Sequence, residues 1–298
     1  MRGRDLVDLL ALAAAWGSSF IFLRMTVPDF GPIAIVEVRV GIAALFLLVL
    51  LLARGKLSAL IQHWKPIAMV GILNAVFPFA ALAYASATLP AGLLSVTNAI
   101  TPLWGAIIAW AWLKESLPLS RVLGLLVGFA GIVVLVSDKL LSSQVQGSGE
   151  ALAFVAAVGG PFFYGLAACY TKRYLTGVDG MACATGSMVS AAVVLMPLAL
   201  AVWPSTPVPM SSWMIGATLA IVSSGIAYLL FFRLIANVGP QKAITVTFLI
   251  PPFGVWWGWL LLDETPTLSM FIGAGIILVG TALATGVLGK RQAATAAR

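Results

Sequence analysis

The sequence predicts an all-α polytopic membrane protein, with ten transmembrane helices in two inverted five-helix repeats. Three observations carry that prediction. Of 298 residues, 61% are hydrophobic and 9% charged, against about 45–50% and about 25% in a soluble domain. Long runs such as Gly41–Ala53 and Ala99–Leu113 are apolar on every face, which excludes a barrel, whose strands alternate apolar and polar residues. A set of prolines, glutamates and glycines recurs at one constant offset. Hydrophobicity this high also excludes a disordered chain.

A spanning helix takes about 20 residues, and runs bounded by Pro, Gly or charge divide the chain into ten. Helix 1, residues 6–25, follows MRGRD and looks like a secretory signal, but Asp8 interrupts the run and no convincing cleavage site follows. Helices 2, 3 and 4 are read at 31–53, 65–87 and 91–113, and helix 5 at 119–137. The longest polar connector, SDKLLSSQVQGSG at 137–149, marks the midpoint. Helices 6 to 10 follow at 150–174, 180–203, 211–235, 240–262 and 267–289. This organisation gives a first repeat at 1–138, a connector at 139–149, a second repeat at 150–289 and a tail at 290–298. Pro78 and Pro161 interrupt apolar helices, free a backbone carbonyl and are hinge positions. Trp256, Trp257 and Trp259 in helix 9 read as interface markers.

The net charge of +7 does not signal nucleic acid, because the basic residues stand at helix ends. With the N-terminus inside, Arg2, Arg4, Arg54, Lys56, Lys65, Lys114, Arg121, Lys172, Arg173, Arg233, Lys242, Lys290, Arg291 and Arg298 face the cytoplasm, and only Arg24 and Lys139 face out. That asymmetry places both termini in the cytoplasm. Cys169 and Cys183 lie in apolar stretches and read as free buried thiols, and His63 sits in a polar connector. Neither a metal cluster, a nucleophile elbow nor a phosphate loop is present in the sequence, so no cofactor and no enzymatic activity are expected.

A shift of 149 residues superposes Pro102 on Pro251, Gly105 on Gly254, Trp110 on Trp259, Glu115 on Glu264, Gly124 on Gly273 and Gly131 on Gly280. Five helices per repeat is an odd number, so the second copy enters the membrane from the opposite side. In secondary transporters such inverted repeats enclose a substrate site near the midplane and rock around it. Gly124, Gly128 and Gly131, with Gly273, Gly275 and Gly280, offer small surfaces for close helix contact, assigned to scaffolding or to the face of a homodimer.

Trp16-Gly17-Ser18-Ser19-Phe20, Arg39 and the duplicated Pro–Glu–Gly–Gly series together resemble the EamA family of the drug/metabolite transporter superfamily, over nearly the whole chain. Within it the chain is most similar to YddG-type exporters of aromatic and other amino acids. The resemblance implies ten helices, two inverted repeats and export of small metabolites across the bacterial inner membrane. One departure is that the second half reads Gly159-Gly160-Pro161-Phe162-Phe163-Tyr164 where the first has its Trp-Gly motif.

Ionisable side chains inside spans cost about 2.5–3.5 kcal/mol on insertion scales and face a cavity or a partner. Glu37 and Arg39 are the one such pair well within a helix, and they lie on different sides of helix 2. Glu37 either snorkels to water or takes a proton; Arg39 either draws a substrate carboxylate or locks helix packing. On helix 3, Asn74, Phe77, Ala81 and Tyr84 share a third of the circumference at 100° per residue. Ser95, Asn98 and Pro102 form a stripe on helix 4, Tyr164 follows Pro161 on helix 6, and helix 8 presents Ser223, Ser224 and Tyr228. Aromatic rings with hydroxyl and amide groups suit amphipathic zwitterions, so the expected substrates are neutral amino acids, with the bilayer as the other partner. The alternatives are drug-like cations, nucleobases or sugars as cargo, or a membrane enzyme or assembly subunit.

Overall fold

Apolar composition and a lack of internal polar runs leave the backbone no choice in lipid but to satisfy its own hydrogen bonds, which helices do. The computed structural model describes residues 3–141, 148–239 and 243–285, and every regular element among them is helical. Residues 142–147 of the connector, Lys242, and the tail with Lys290, Arg291 and Arg298 lie outside the described residues, as does Arg2. Among the described residues seven helices are long and apolar enough to cross a membrane, and three shorter apolar helices accompany them.

Helix α1 (Gly3–Phe30) runs five residues beyond its expected end, through Pro28 in its last turns. Gly31 then takes a φ of 75°, which glycine adopts without a Cβ penalty, and Pro32 opens α2 (Pro32–Ala53) at the first helical position, where its missing N–H costs nothing. The short α3 (Leu57–Gln62) lies at the end of α2 and leads through His63 into α4 (Trp64–Gly71). A π-helical turn, Ile72–Val76, separates α4 from α5 (Phe77–Ser86). Pro78 lacks the N–H that would meet the carbonyl of Asn74, and an extra residue in the turn accommodates the gap. The next crossing is split at Ala99–Ile100 into α6 (Ala91–Asn98) and α7 (Thr101–Leu113), with Pro102 in the first turn of α7.

The second half repeats these interruptions. After α8 (Leu119–Leu141), α9 (Ser148–Tyr174) and α10 (Gly180–Ala201) come α11 (Met210–Ala220), a second π-helical turn at Ile221–Ile226, and α12 (Ala227–Val238). A 3₁₀ turn at Ile244–Phe248 precedes α13 (Ile250–Leu262), and α14 (Leu268–Ala284) ends the described chain. The two π turns begin 149 residues apart. Lys114 and Asp263, also 149 apart, are among the described residues the two non-glycine positions with left-handed backbone, and each closes its helix. Pro161, read as a hinge, sits within an uninterrupted α9.

The tightest seam joins α8 to α14. A Cβ at Gly124 would stand 2.7 Å from the Gly280 carbonyl, and one at Gly131 would stand 3.0 Å from that of Gly273. As numbers rise on α8 they fall on α14, so the helices run antiparallel. Lipid provides no hydrophobic drive between helices, and close approach of small residues supplies dispersion contacts instead. These glycines are therefore spent inside the chain, and the dimer-face assignment does not hold for this seam. Gly275 alone among them faces open space. Elsewhere α2 packs along α10, α1 packs along α13 as α9 does along α7, and α1 packs along α12 as α9 does along α5.

Polar ties hold both ends of the bundle. At the end carrying Gly3, Arg233 makes a two-pronged ion pair with Asp8, Lys56 pairs with Asp179, and Lys172 with Glu115. Asp179 also caps α10, accepting from the N–H groups of Met181 at 3.0 Å and Ala182 at 3.1 Å. At the opposite end Arg24 reaches Glu264 at 3.1 Å, and Ser212 donates to Asp29. Cys169 is buried and Cys183 half-buried, both free.

Candidate functional site

Arg39 is the deepest charge in the described chain, 4% exposed on the buried side of α2. Its Nε donates to Ser224 Oγ at 3.0 Å and its Nη2 to Ser19 Oγ at 3.5 Å, so hydroxyls from both halves of the sequence hold one guanidinium. The guanidinium carbon lies over Phe79, 3.7 Å from the ring centroid, an arrangement the ring quadrupole favours. Tyr164 meets the same Phe79 edge-on at 6.4 Å. Next to this pair Ser18 and Ser223 exchange a hydrogen bond at 3.3 Å, and Asn74 Nδ2 donates to the Tyr228 hydroxyl at 2.8 Å.

The π turns explain why these groups converge. Asn74 stands in the first and Ser223 and Ser224 in the second. Asn74 and Ser223 are 149 residues apart, as are Phe79 and Tyr228, so the two halves bring equivalent positions to the same place. Arg39 breaks the equivalence, since Met188 occupies the corresponding position of the second half. A guanidinium has five N–H donors, and among the described residues the protein meets two of them, both with neutral hydroxyls. The arrangement can bind an anionic or carbonyl oxygen edge-on while an aromatic face blocks one side.

Of the residues singled out from sequence, the structure brings together Arg39, Asn74, Tyr164 and Tyr228. Ser223 and Ser224 join them, and the others lie apart. Glu37 is half-buried, forms no ion pair with Arg39, and its Oε2 is enclosed without a hydrogen-bond partner. Asn98 ends α6 at the helix break, where Thr101 Oγ1 donates to its carbonyl at 2.8 Å and its own Oδ1 is enclosed without a partner. Phe77 is 45% exposed and stacks on Phe163 at 4.7 Å, and Tyr84 is likewise exposed. The extra residue of the π turn rotates the rest of the helix, so Phe79, not Phe77, turns inward. Sequence reasoning at a uniform 100° missed Phe79; its offset of 149 from Tyr228 was the signal that could have found it. Trp257 also turns inward and donates to the Ala14 carbonyl at 3.2 Å, whereas Trp256 and Trp259 are exposed as interface residues would be. Among the described residues no group of His, Cys, Asp or Glu could hold a metal ion.

Comparison with known proteins agrees with a transporter. A solved crystal structure with 20% identity superposes with a TM-score of 0.67, covering 96% of this chain and 99% of that one. An uncharacterized inner membrane transporter, YedA of Escherichia coli strain K12, is 27% identical over 97% of this chain and 94% of its own length. The uncharacterized transporter YoaV of Bacillus subtilis strain 168 is 22% identical over 96% of this chain and 98% of its own. The model of the EamA-like transporter family matches twice, at residues 6–137 and 151–286. This multi-span membrane protein thus belongs to the EamA-like transporter family.

Proposed function

We propose that the chain is an inner-membrane secondary transporter of the YddG type that exports small amphipathic metabolites, aromatic and other neutral amino acids first among them. Ten spans form two inverted five-helix units, 1–138 and 150–289, with both termini cytoplasmic, and access to a midplane site alternates between the two sides. The single observation that carries this reading is Arg39, buried between Ser19 of the first unit and Ser224 of the second with an aromatic ring beneath it. A cation at that depth is retained at a cost, and a site shared by both units changes whenever they rock. The antiparallel seam of α8 and α14 supports the inversion, because a two-fold exchange of the units turns the 124–280 contact into the 131–273 contact.

Purified protein in proteoliposomes tests the reading directly. Efflux of labelled phenylalanine or leucine should exceed that from empty vesicles, and Arg39→Ala should reduce it about tenfold or more while the variant still purifies as a folded protein. A signal equal to empty vesicles across an amino-acid panel overturns the assignment, and unchanged flux in Arg39→Ala removes Arg39 from the site. Repeating the assay with and without a pH gradient separates facilitation from proton coupling.

A further inference from the structure

We infer that the Arg39 site selects its cargo by a carboxylate group and not by an ammonium group, so that the transported class is small monocarboxylates with an apolar or aromatic tail, for which an amino group is optional. This rests on the reading of the chain as a transporter with its site at Arg39.

The charge inventory leads there. Among the described residues no carboxylate lies within ion-pair distance of Arg39; its two bonds go to Ser224 and Ser19. Asp8, Asp29, Glu115, Asp179 and Glu264 are engaged with partners at the ends of the bundle. Glu37, the one acid well inside a span, does not pair with Arg39 although only two positions away, because the helix turns it to another face. Hydroxyls satisfy donors but leave the positive charge uncompensated. An incoming carboxylate supplies both the missing charge and charge-assisted hydrogen bonds to the planar fork.

An ammonium finds no such complement. The groups around Arg39 are hydroxyls, an amide already donating to Tyr228, and aromatic rings, all neutral. A second cation would meet repulsion from the guanidinium in a medium that screens poorly. Amines without a carboxylate are therefore rejected, and in an amino acid the ammonium adds nothing to recognition. Met188 at the equivalent position of the second half leaves the site with one cation, so a second carboxylate on the cargo would enter unpaired. Phe79, Tyr164 and Tyr228 supply the surface for the tail.

Four probes of one skeleton distinguish these statements: 3-phenylpropanoate, phenylalanine, 2-phenylethylamine and phenylsuccinate. Uptake is measured in proteoliposomes of the full chain at pH 8 against empty vesicles, and binding as a thermal shift of the detergent-solubilised protein. 3-Phenylpropanoate should move at least as fast as phenylalanine, and at least tenfold faster than the amine or the dicarboxylate. Arg39→Gln should lose the thermal shift with both monocarboxylates, and Arg39→Lys should keep part of it. An amine that moves or shifts the protein as well as 3-phenylpropanoate overturns the inference, as does an Arg39→Gln variant, folded by circular dichroism, that keeps the same probe ranking. Binding of the monocarboxylates without flux upholds carboxylate recognition and overturns the transport reading; neither binding nor flux overturns both.

Discussion

Glu115 and Glu264 hold the same place in the two halves of the sequence, one residue beyond a left-handed helix end, yet their surroundings differ. Glu264 is 17% exposed and meets Arg24, which is 31% exposed. It also accepts from the backbone N–H groups of Ala91 at 3.1 Å and Gly92 at 3.4 Å, capping the start of α6. Arg24 in turn donates to the Ser86 carbonyl at 2.9 Å, so one pair fastens the ends of α1, α5, α6 and α13. Glu115 meets Lys172, with exposures of 32% and 65%. A planar guanidinium held by two acceptors on rigid elements loses less freedom than a lysine reaching across water. Duplication therefore preserves the residue and its reach to the other half, while the depth of the site decides how strongly it binds.

The largest test of the two-fold relation is the glycine seam. Gly131→Leu and its mate Gly280→Leu place a side chain into backbone less than 3.0 Å away, and each should lower the stability of the solubilised protein by about 1–3 kcal/mol or more. Gly275→Ala, with nothing within 4 Å, should leave the melting temperature unchanged. If the two leucine variants differ widely, the halves do not share the seam equally. Next in size, Glu264→Ala should cost about 1–3 kcal/mol, since it strips an arginine and two helix-start N–H groups of their acceptor. Glu115→Ala should cost at most about 1 kcal/mol, as exposed pairs do, and an equal loss in both would erase the contrast drawn above.

The smallest effect concerns acid. Burial pushes the Asp179 carboxyl up, but the Lys56 hydrogen bond, the N–H groups of Ala182 and Met181 and the Lys56 charge outweigh it and hold the carboxyl below its usual 3.8. A depressed carboxylate stabilises the fold above its unfolded value and loses that contribution as pH falls through its folded one. Melting curves should therefore show wild type and Asp179→Asn converging as pH drops below about 4, with wild type the more stable above it.

How far sequence reached depends on what each feature needs. The helical, multi-span character was legible because lipid leaves only one way to satisfy a backbone, and Arg39 stood out as a deep charge. Helix 3 was not legible to the same degree. A uniform rotation per residue grouped Phe77 and Tyr84 with Asn74, while the π turn at Ile72–Val76 hands the inward position to Phe79. The glycine stripes were visible as small surfaces, but small surfaces do not announce their partner; only the fold shows them facing each other. Lys172 and Arg24 likewise stood in the sequence as topology signals, with their carboxylate partners 57 positions back and on the far half of the chain.

The α8–α14 seam carries a lasting constraint. Because Gly124 meets Gly280 and Gly131 meets Gly273 at backbone distance, each stripe must be shaped to fit the other. A bulkier residue admitted on one stripe can be relieved only by trimming the other, so drift in one unit is policed by its twin.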